Sequence, residues 1–225
     1  MSHRTTALGV ALASALAAVF APAATVAGAQ AWNYPSFQPS RTVEREYNFA
    51  VADGGDATGT AFVFQWREGF SAGNQLSLDV GLADPELTGT KFLIGGQFAR
   101  QLVTSNTQVP FDLLFTAGVN GAFGGLTLFR VPIGVSVGRR FPLEGGLAIT
   151  PYVHPRLVLD VCGSCDGRDN SEVGLDFDLG ADFAFSPQFS LRFSILFAGS
   201  DYIGNDSDSA FGLSLAWQPP SLLRR

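Results

Sequence analysis

Apolar and polar residues alternate along most of this chain, so that every second residue has the same character. The stretch 172–185 shows this most clearly: its odd-numbered residues, from Val173 to Phe185, are apolar, and its even-numbered residues are acidic, Gly or Ala. Successive side chains of a β-strand point to opposite faces, so the alternation predicts a strand with one apolar and one polar face. The pattern alone leaves open whether the apolar face meets a protein core or membrane lipid.

Ten apolar rows of this kind lie along the chain, and no stretch between them has helical periodicity. The rows begin at Tyr47, Phe62, Leu76, Phe92, Phe111, Phe129, Leu147, Val173, Phe189 and Phe211. We therefore predict an all-β fold, an antiparallel up-and-down transmembrane β-barrel of ten strands, or of eight if a terminal hairpin is detached. Short turns such as 186–188 tend to alternate with longer acidic connections such as 201–208, although 102–110 departs from this trend.

The face opposite the apolar rows carries nearly balanced charge. It holds six basic residues against seven acidic ones, together with one histidine: Arg67, Lys91, Arg130, Arg140, Arg156, Arg192, Glu46, Asp79, Asp112, Asp160, Asp176, Asp178, Asp182 and His154. A buried charge without a partner is expensive, so this balance favours a closed polar lumen with the apolar rows turned outward to lipid. The short turn 186–188 also predicts an ion pair between Asp182 and Arg192 across the ladder. A soluble periplasmic barrel that binds a lipophile is the alternative.

The N-terminus indicates export. Arg4 precedes an Ala-rich apolar stretch that ends in the cleavage pattern Ala27-Gly28-Ala29, with Ala29-Gln30-Ala31 as a second option. We expect a signal peptide over 1–29, an extended periplasmic segment over 30–42, the barrel over 43–217 and a tail over 218–225. The expected location is the bacterial outer membrane.

Charge limits the partners. The chain has 14 Lys plus Arg against 20 Asp plus Glu, a net charge of −6, which argues against nucleic acid because its binders need a basic face. Membrane lipid remains as a partner, together with lipopolysaccharide bridged by cations. We expect a monomer without a cofactor.

The last apolar row, "AFGLSLAW", places Gly212 three and five residues before Leu215 and Trp217. Over Val43 to Trp217 the chain resembles the small outer-membrane β-barrel families of the outer-membrane protein A and X type. The resemblance implies that these three residues form the terminal strand signal used by the outer-membrane assembly machinery. The chain departs from that signal at Ala210 and in the tail that follows Trp217.

Two further features bear on chemistry. Cys162 and Cys165 are the only cysteines, and in an exported protein they predict a loop disulfide, with free thiols or metal and redox chemistry as alternatives. His154 is expected to form hydrogen bonds in the lumen. The catalytic alternative would need Asp176 or Asp178 to orient the imidazole and Ser136 to lie near it.

The sequence thus predicts a non-enzymatic outer-membrane barrel with a structural or surface-interaction role in the cell envelope, without catalytic, cofactor or metal residues. A narrow channel or small-solute transporter is the alternative function. An outer-membrane enzyme and a soluble lipophile-binding barrel are less favoured.

Overall fold

The computed structural model describes residues 33–54, 59–84, 89–124, 127–163, 171–199 and 209–220. The predicted signal peptide and Cys165 lie outside these residues. Within the part of the chain that the structure describes, no helix has the length and hydropathy needed to cross a membrane.

Ten long strands and one two-residue strand make up the fold. They are β1 (Arg45–Asp53), β2 (Thr60–Ser71), β3 (Asn74–Asp84), β4 (Lys91–Val103), β5 (Asp112–Phe123), β6 (Leu128–Gly138), β7 (Phe141–Pro142), β8 (Ala148–Cys162), β9 (Ser171–Ala184), β10 (Phe189–Phe197) and β11 (Ser209–Trp217). A 3-10 turn over Glu144–Gly146 lies between β7 and β8. Every long strand coincides with one of the predicted apolar rows.

The strands form one closed antiparallel sheet. Consecutive long strands pair with each other, β1 pairs with β11, and β6 pairs with β8 past the short strand β7. The ten-strand barrel is thereby confirmed and the eight-strand alternative is wrong. Closure satisfies the main-chain hydrogen bonds of both edge strands, which a sheet in lipid requires.

The two faces of the sheet differ as the alternation predicted. Outward side chains are apolar and exposed; Phe49, Leu175 and Phe211, for example, expose 57%, 60% and 56% of their surface. Inward side chains are buried, charged residues included: Asp176 and Asp178 are 0% exposed. The apolar rows therefore face outward and the carboxylates line the lumen, which is the arrangement of a membrane-spanning barrel.

The barrel has two distinguishable ends. At the terminus end β1 begins and β11 ends, and the connections there are 72–73, 104–111, 139–147 and 185–188. At the loop end the connections are 54–59, 85–90, 124–127, 163–170 and 198–208. The two longest terminus-end connections limit the predicted asymmetry to a trend, as the sequence indicated.

A charge on the outer face tests for lipid contact. Leu179 lies near the middle of β9 and is 47% exposed, so Leu179→Arg should destabilise the barrel by about 2–4 kcal/mol. Val173→Arg, near the loop end of the same face, should cost at most about 1 kcal/mol. The measurement is the temperature at which the compact, unboiled gel band disappears. Equal effects of the two substitutions would contradict a lipid-facing exterior.

Candidate functional site

The lumen is filled by the chain's own N-terminal segment. Residues 33–43, called the lumenal segment below, enter the barrel from the start of β1, and Tyr34, Phe37, Gln38 and Ser40 are at most 2% exposed. The expectation of an extended periplasmic segment over 30–42 is corrected here, because the described part of it lies inside the barrel. The segment has no hydrophobic period that could have shown its position. The one available signal was that two aromatic residues occur in it.

The lumenal segment is anchored first at the terminus end. Arg41 forms an ion pair with Asp112 (Nε to Oδ2, 2.8 Å). The main-chain N–H groups of Thr42 and Val43 donate to the side-chain oxygens of Gln101 (3.0 Å) and Gln75 (2.9 Å). Three barrel strands therefore hold the chain where it turns from the lumen into β1.

Deeper in the lumen, side chains of the barrel bind the segment's carbonyl oxygens. Gln101 donates to the Ser40 carbonyl (2.9 Å), Ser136 to that of Gln38 (2.9 Å), and Arg67 to that of Phe37 (2.9 Å). Main-chain groups buried in the lumen would otherwise lack partners, and such groups are costly. These contacts also leave little of the central lumen free.

An apolar cluster encloses the segment near the loop end. Tyr34 donates through its hydroxyl to the carbonyl of Gly59 (3.4 Å), just before β2. The buried residues that cluster with Tyr34 and Phe37 are Ala50, Ala52, Ala61, Val63, Ala83, Leu93, Ala122, Leu128 and Cys162. The sequence analysis missed this layer because these positions are small or aliphatic residues on the inward side of otherwise amphipathic strands.

Phe37 bends the segment and fits a gap in the barrel wall. It has a φ of 49°, a conformation that bulky residues rarely adopt. A Cβ built on Gly212 would lie 2.6 Å from Cζ of the Phe37 ring and 2.9 Å from the Val51 carbonyl oxygen. Gly212 thus has a packing role inside the barrel, in addition to its predicted place in the assembly signal. Leu215 and Trp217 point outward and are 43% and 39% exposed.

A first ionic network is centred on Glu46. The carboxylate accepts hydrogen bonds from Arg67 (2.6 Å), from both Nη atoms of Arg192 (2.5 and 2.7 Å) and from Gln218 (3.0 Å). Arg192 also donates from Nε to Asp182 (2.9 Å), its partner across the β9–β10 ladder. The predicted Asp182–Arg192 pair is therefore confirmed, and the start of the tail contributes Gln218 to the lumen.

A second network joins β6, β8 and β9. Arg130 binds both carboxylate oxygens of Asp160 (2.6 Å each) and reaches Asp176 (3.2 Å). Arg156 pairs with Asp178 (2.9 Å) and lies 3.8 Å from Asp176. All five side chains are at most 3% exposed, so each charge is matched within the barrel, as buried charges require.

His154 connects this network to the lumenal segment. Its Nδ1 lies 2.8 Å from the Ser36 hydroxyl and 3.5 Å from the Asp178 carboxylate, while its Nε2 lies 2.8 Å from the Thr116 hydroxyl. Ser36 also donates to Asp178 (2.5 Å). Ser136 instead binds the Gln38 carbonyl, so the hydroxyl groups near the imidazole belong to Ser36 and Thr116.

The remaining predicted lumenal charges differ in their surroundings. Lys91 is 2% exposed and donates to the Gly124 carbonyl at the loop end. Asp79 is 8% exposed, its Oδ1 has no hydrogen-bond partner within the described structure, and it lines a cavity of about 20 Å³, the size of one water molecule. Arg140 was placed wrongly: β6 ends at Gly138, and Arg140 is exposed in the following connection. The alternation extrapolates one step too far there.

Cys162 ends β8 and is buried and disulfide-bonded. Its predicted partner Cys165 lies outside the described residues. The loop that it would close therefore has no further description.

No protein-family model matches the sequence, and no curated protein matches it. Three solved structures are similar. A bacterial polysaccharide outer membrane secretin has a TM-score of 0.47 at 6% identity over 72% of this chain, which spans 57% of that chain. The beta domain of the Bordetella autotransporter Brka has a TM-score of 0.43 at 12% identity, covering 78% of this chain and 98% of that one. A KdgM porin has a TM-score of 0.39 at 9% identity, covering 79% and 100%.

The fold class follows from the protein's own geometry. A closed, even-numbered antiparallel barrel with an apolar exterior and a charged interior is the architecture of outer-membrane β-barrel proteins. The lumen of this barrel holds saturated ion pairs and a bound segment of the same chain. Its candidate function therefore depends on what the filled lumen does.

Removing one carboxylate tests the central network. Glu46→Gln leaves two buried guanidinium groups short of charge, and breaking a buried pair in this way should destabilise the barrel by about 3–5 kcal/mol. The matched control is Glu68→Gln, which breaks the exposed Arg45–Glu68 pair on the same two strands (2.6 Å) and should leave stability nearly unchanged. Urea unfolding in detergent micelles measures both. A loss for Glu46→Gln no larger than for Glu68→Gln would refute the proposed weight of the network.

Adding one methyl group tests the packing of the lumenal segment. Gly212→Ala forces the Phe37 ring or the β1 backbone to move, and overpacking of this kind costs about 1–3 kcal/mol. Gly96→Ala is the control, because its nearest neighbour would be the Ser77 carbonyl oxygen at 3.7 Å. We expect a lower unfolding midpoint for Gly212→Ala alone. Unchanged midpoints for both variants would argue against Phe37 packing at this position.

Proposed function

We propose that the protein is a sealed, non-enzymatic outer-membrane barrel with a structural or surface-interaction role in the cell envelope. The observation that carries this proposal is the lumenal segment, which is bound along its length and occupies the barrel interior from the terminus end to the apolar cluster. Ten strands leave only a narrow interior, since eight already give one that side chains fill. With five buried guanidinium or ammonium side chains, Arg67, Lys91, Arg130, Arg156 and Arg192, and a peptide inside, no continuous water path is left.

The orientation and surroundings belong to the same proposal. The terminus end faces the periplasm and the loop end faces the cell exterior, as in barrels with both strand ends on the inner side. The apolar exterior contacts membrane lipid and lipopolysaccharide. The protein is exported by a cleaved signal peptide, inserted by the outer-membrane assembly machinery through its last strand, and works as a monomer without cofactor or nucleic acid.

Transport is the less favoured function for a physical reason. A solute would have to displace the lumenal segment and cross both the apolar cluster and the paired charges. Each ion pair broken on the way leaves buried charges without partners. A channel function therefore requires a large rearrangement, for which the described lumen offers no vacant path.

The surroundings of His154 support the absence of catalysis. Thr116, His154 and Asp178 form a hydroxyl–imidazole–carboxylate series, but Ser36 already binds both Nδ1 and the carboxylate. Thr116 is 2% exposed and His154 is 0% exposed. A nucleophile must touch its substrate, and a hydroxyl sealed inside the barrel wall does not. The series holds the lumenal segment in place.

Single-channel recording tests the sealed lumen. The purified barrel in planar bilayers should show no regular conductance steps. The double variant Tyr34→Ser with Phe37→Ser, which removes the aromatic rings from the apolar cluster, should show them because water can then enter. The matched control is Phe49→Ser on the outer face, which should stay silent. Regular steps from the unaltered protein would overturn the proposal and favour the channel.

A further inference from the structure

We infer that the barrel holds its own N-terminal segment as a polypeptide that passes through the wall-to-wall lumen, so that the chain preceding Asn33 leaves at the loop end. This inference rests on the proposed outer-membrane orientation, and it adds a second function: presentation of the N-terminal chain at the cell surface. The ligand class of the lumen is then an extended polypeptide, occupied here by residues 33–43.

The contacts show that the lumen recognises main chain. Barrel side chains bind the carbonyls of Ser36, Phe37, Gln38 and Ser40 and the N–H groups of Ser36, Thr42 and Val43. Three of the barrel partners are glutamines, whose amide groups both donate and accept and thus match the two polar groups of a peptide bond: Gln65, Gln75 and Gln101. Uncharged amides at these inward positions are unnecessary for the ion pairs. They do serve to hold a peptide backbone.

The contacts also fix the direction of the chain. Going backward from β1, Arg41 meets Asp112 at the first residue of β5. Ser36 then meets His154 and Asp178, both in the middle part of their strands. Tyr34 finally reaches Gly59 beside the loop-end start of β2.

The position of Asn33 extends this path. It is 5% exposed and still enclosed by the barrel, so the chain has not turned out of the barrel wall by that residue. The lumen behind it, toward the terminus end, is occupied by the segment itself. The loop-end mouth is therefore the exit that the geometry leaves for the preceding residues.

Assembly provides a route that needs no threading through a finished barrel. The lumenal segment is continuous with β1, and the barrel closes only when β1 pairs with β11. Before that pairing, the segment can lie along the inner face of the open sheet, bound to glutamine, arginine and serine side chains. Closure then encloses it with its early residues already at the loop end.

Protease accessibility in intact cells tests the inference on the full chain. A short site for a sequence-specific protease is inserted between Trp32 and Asn33, in the β10–β11 connection, or after Pro220, one site per variant. Each variant must give the heat-modifiable band of a folded barrel. We expect complete cleavage of the first two variants in intact cells, and cleavage of the third only after the outer membrane is permeabilised.

The outcomes separate the inference from the proposed function. Cleavage in the β10–β11 connection with protection before Asn33 would overturn the inference and leave the barrel orientation intact. Protection of the β10–β11 site would overturn the orientation itself. If the insertion before Asn33 prevents folding, Trp32→Cys labelled with a membrane-impermeant maleimide replaces it. Labelling in intact cells supports surface presentation, and labelling only after permeabilisation refutes it.

Discussion

Closure of the sheet is the constraint on which the rest of this structure depends. Lipid offers no hydrogen-bond partners, so a strand in the membrane must pair on both edges, and only a closed barrel achieves this for all strands. Pairing of β1 with β11 and of β6 with β8 meets that demand. The same closure confines every inward side chain to one narrow space, where charges must find partners or be costly.

The interior meets this second demand by combining ion pairs with a bound peptide. Small residues on β11 make the central network possible: Ser214 lies opposite Arg192, which reaches past it to Glu46 on β1. His154 and Arg67 then connect the two networks to the lumenal segment. The filled interior is a consequence of charge matching and backbone satisfaction together, and it is the physical basis of the sealed barrel proposed above.

A barrel filled by its own chain combines two properties that are usually separate. Sealing keeps the membrane impermeable, whereas enclosing a polypeptide fixes where that polypeptide emerges. Both follow from hydrogen bonds that barrel side chains make to peptide groups, because such bonds fill the lumen and also orient the segment from Arg41 toward Tyr34. The lumen therefore acts as a fixed holder for a peptide, and its surface consequences lie at the loop end.

The sequence by itself determined the strands, their faces and the inward position of nearly all the charged residues, because the period-two alternation is a local property of each strand. It also determined the Asp182–Arg192 pair, since a short turn sets that register. Only the tertiary structure decided that Glu46 joins Arg192 across 146 residues of chain, that Arg140 lies outside the lumen, and that residues 33–43 lie within it. Those features depend on which strands close the barrel and on the space left inside, and an aperiodic segment carries no local pattern that reports either.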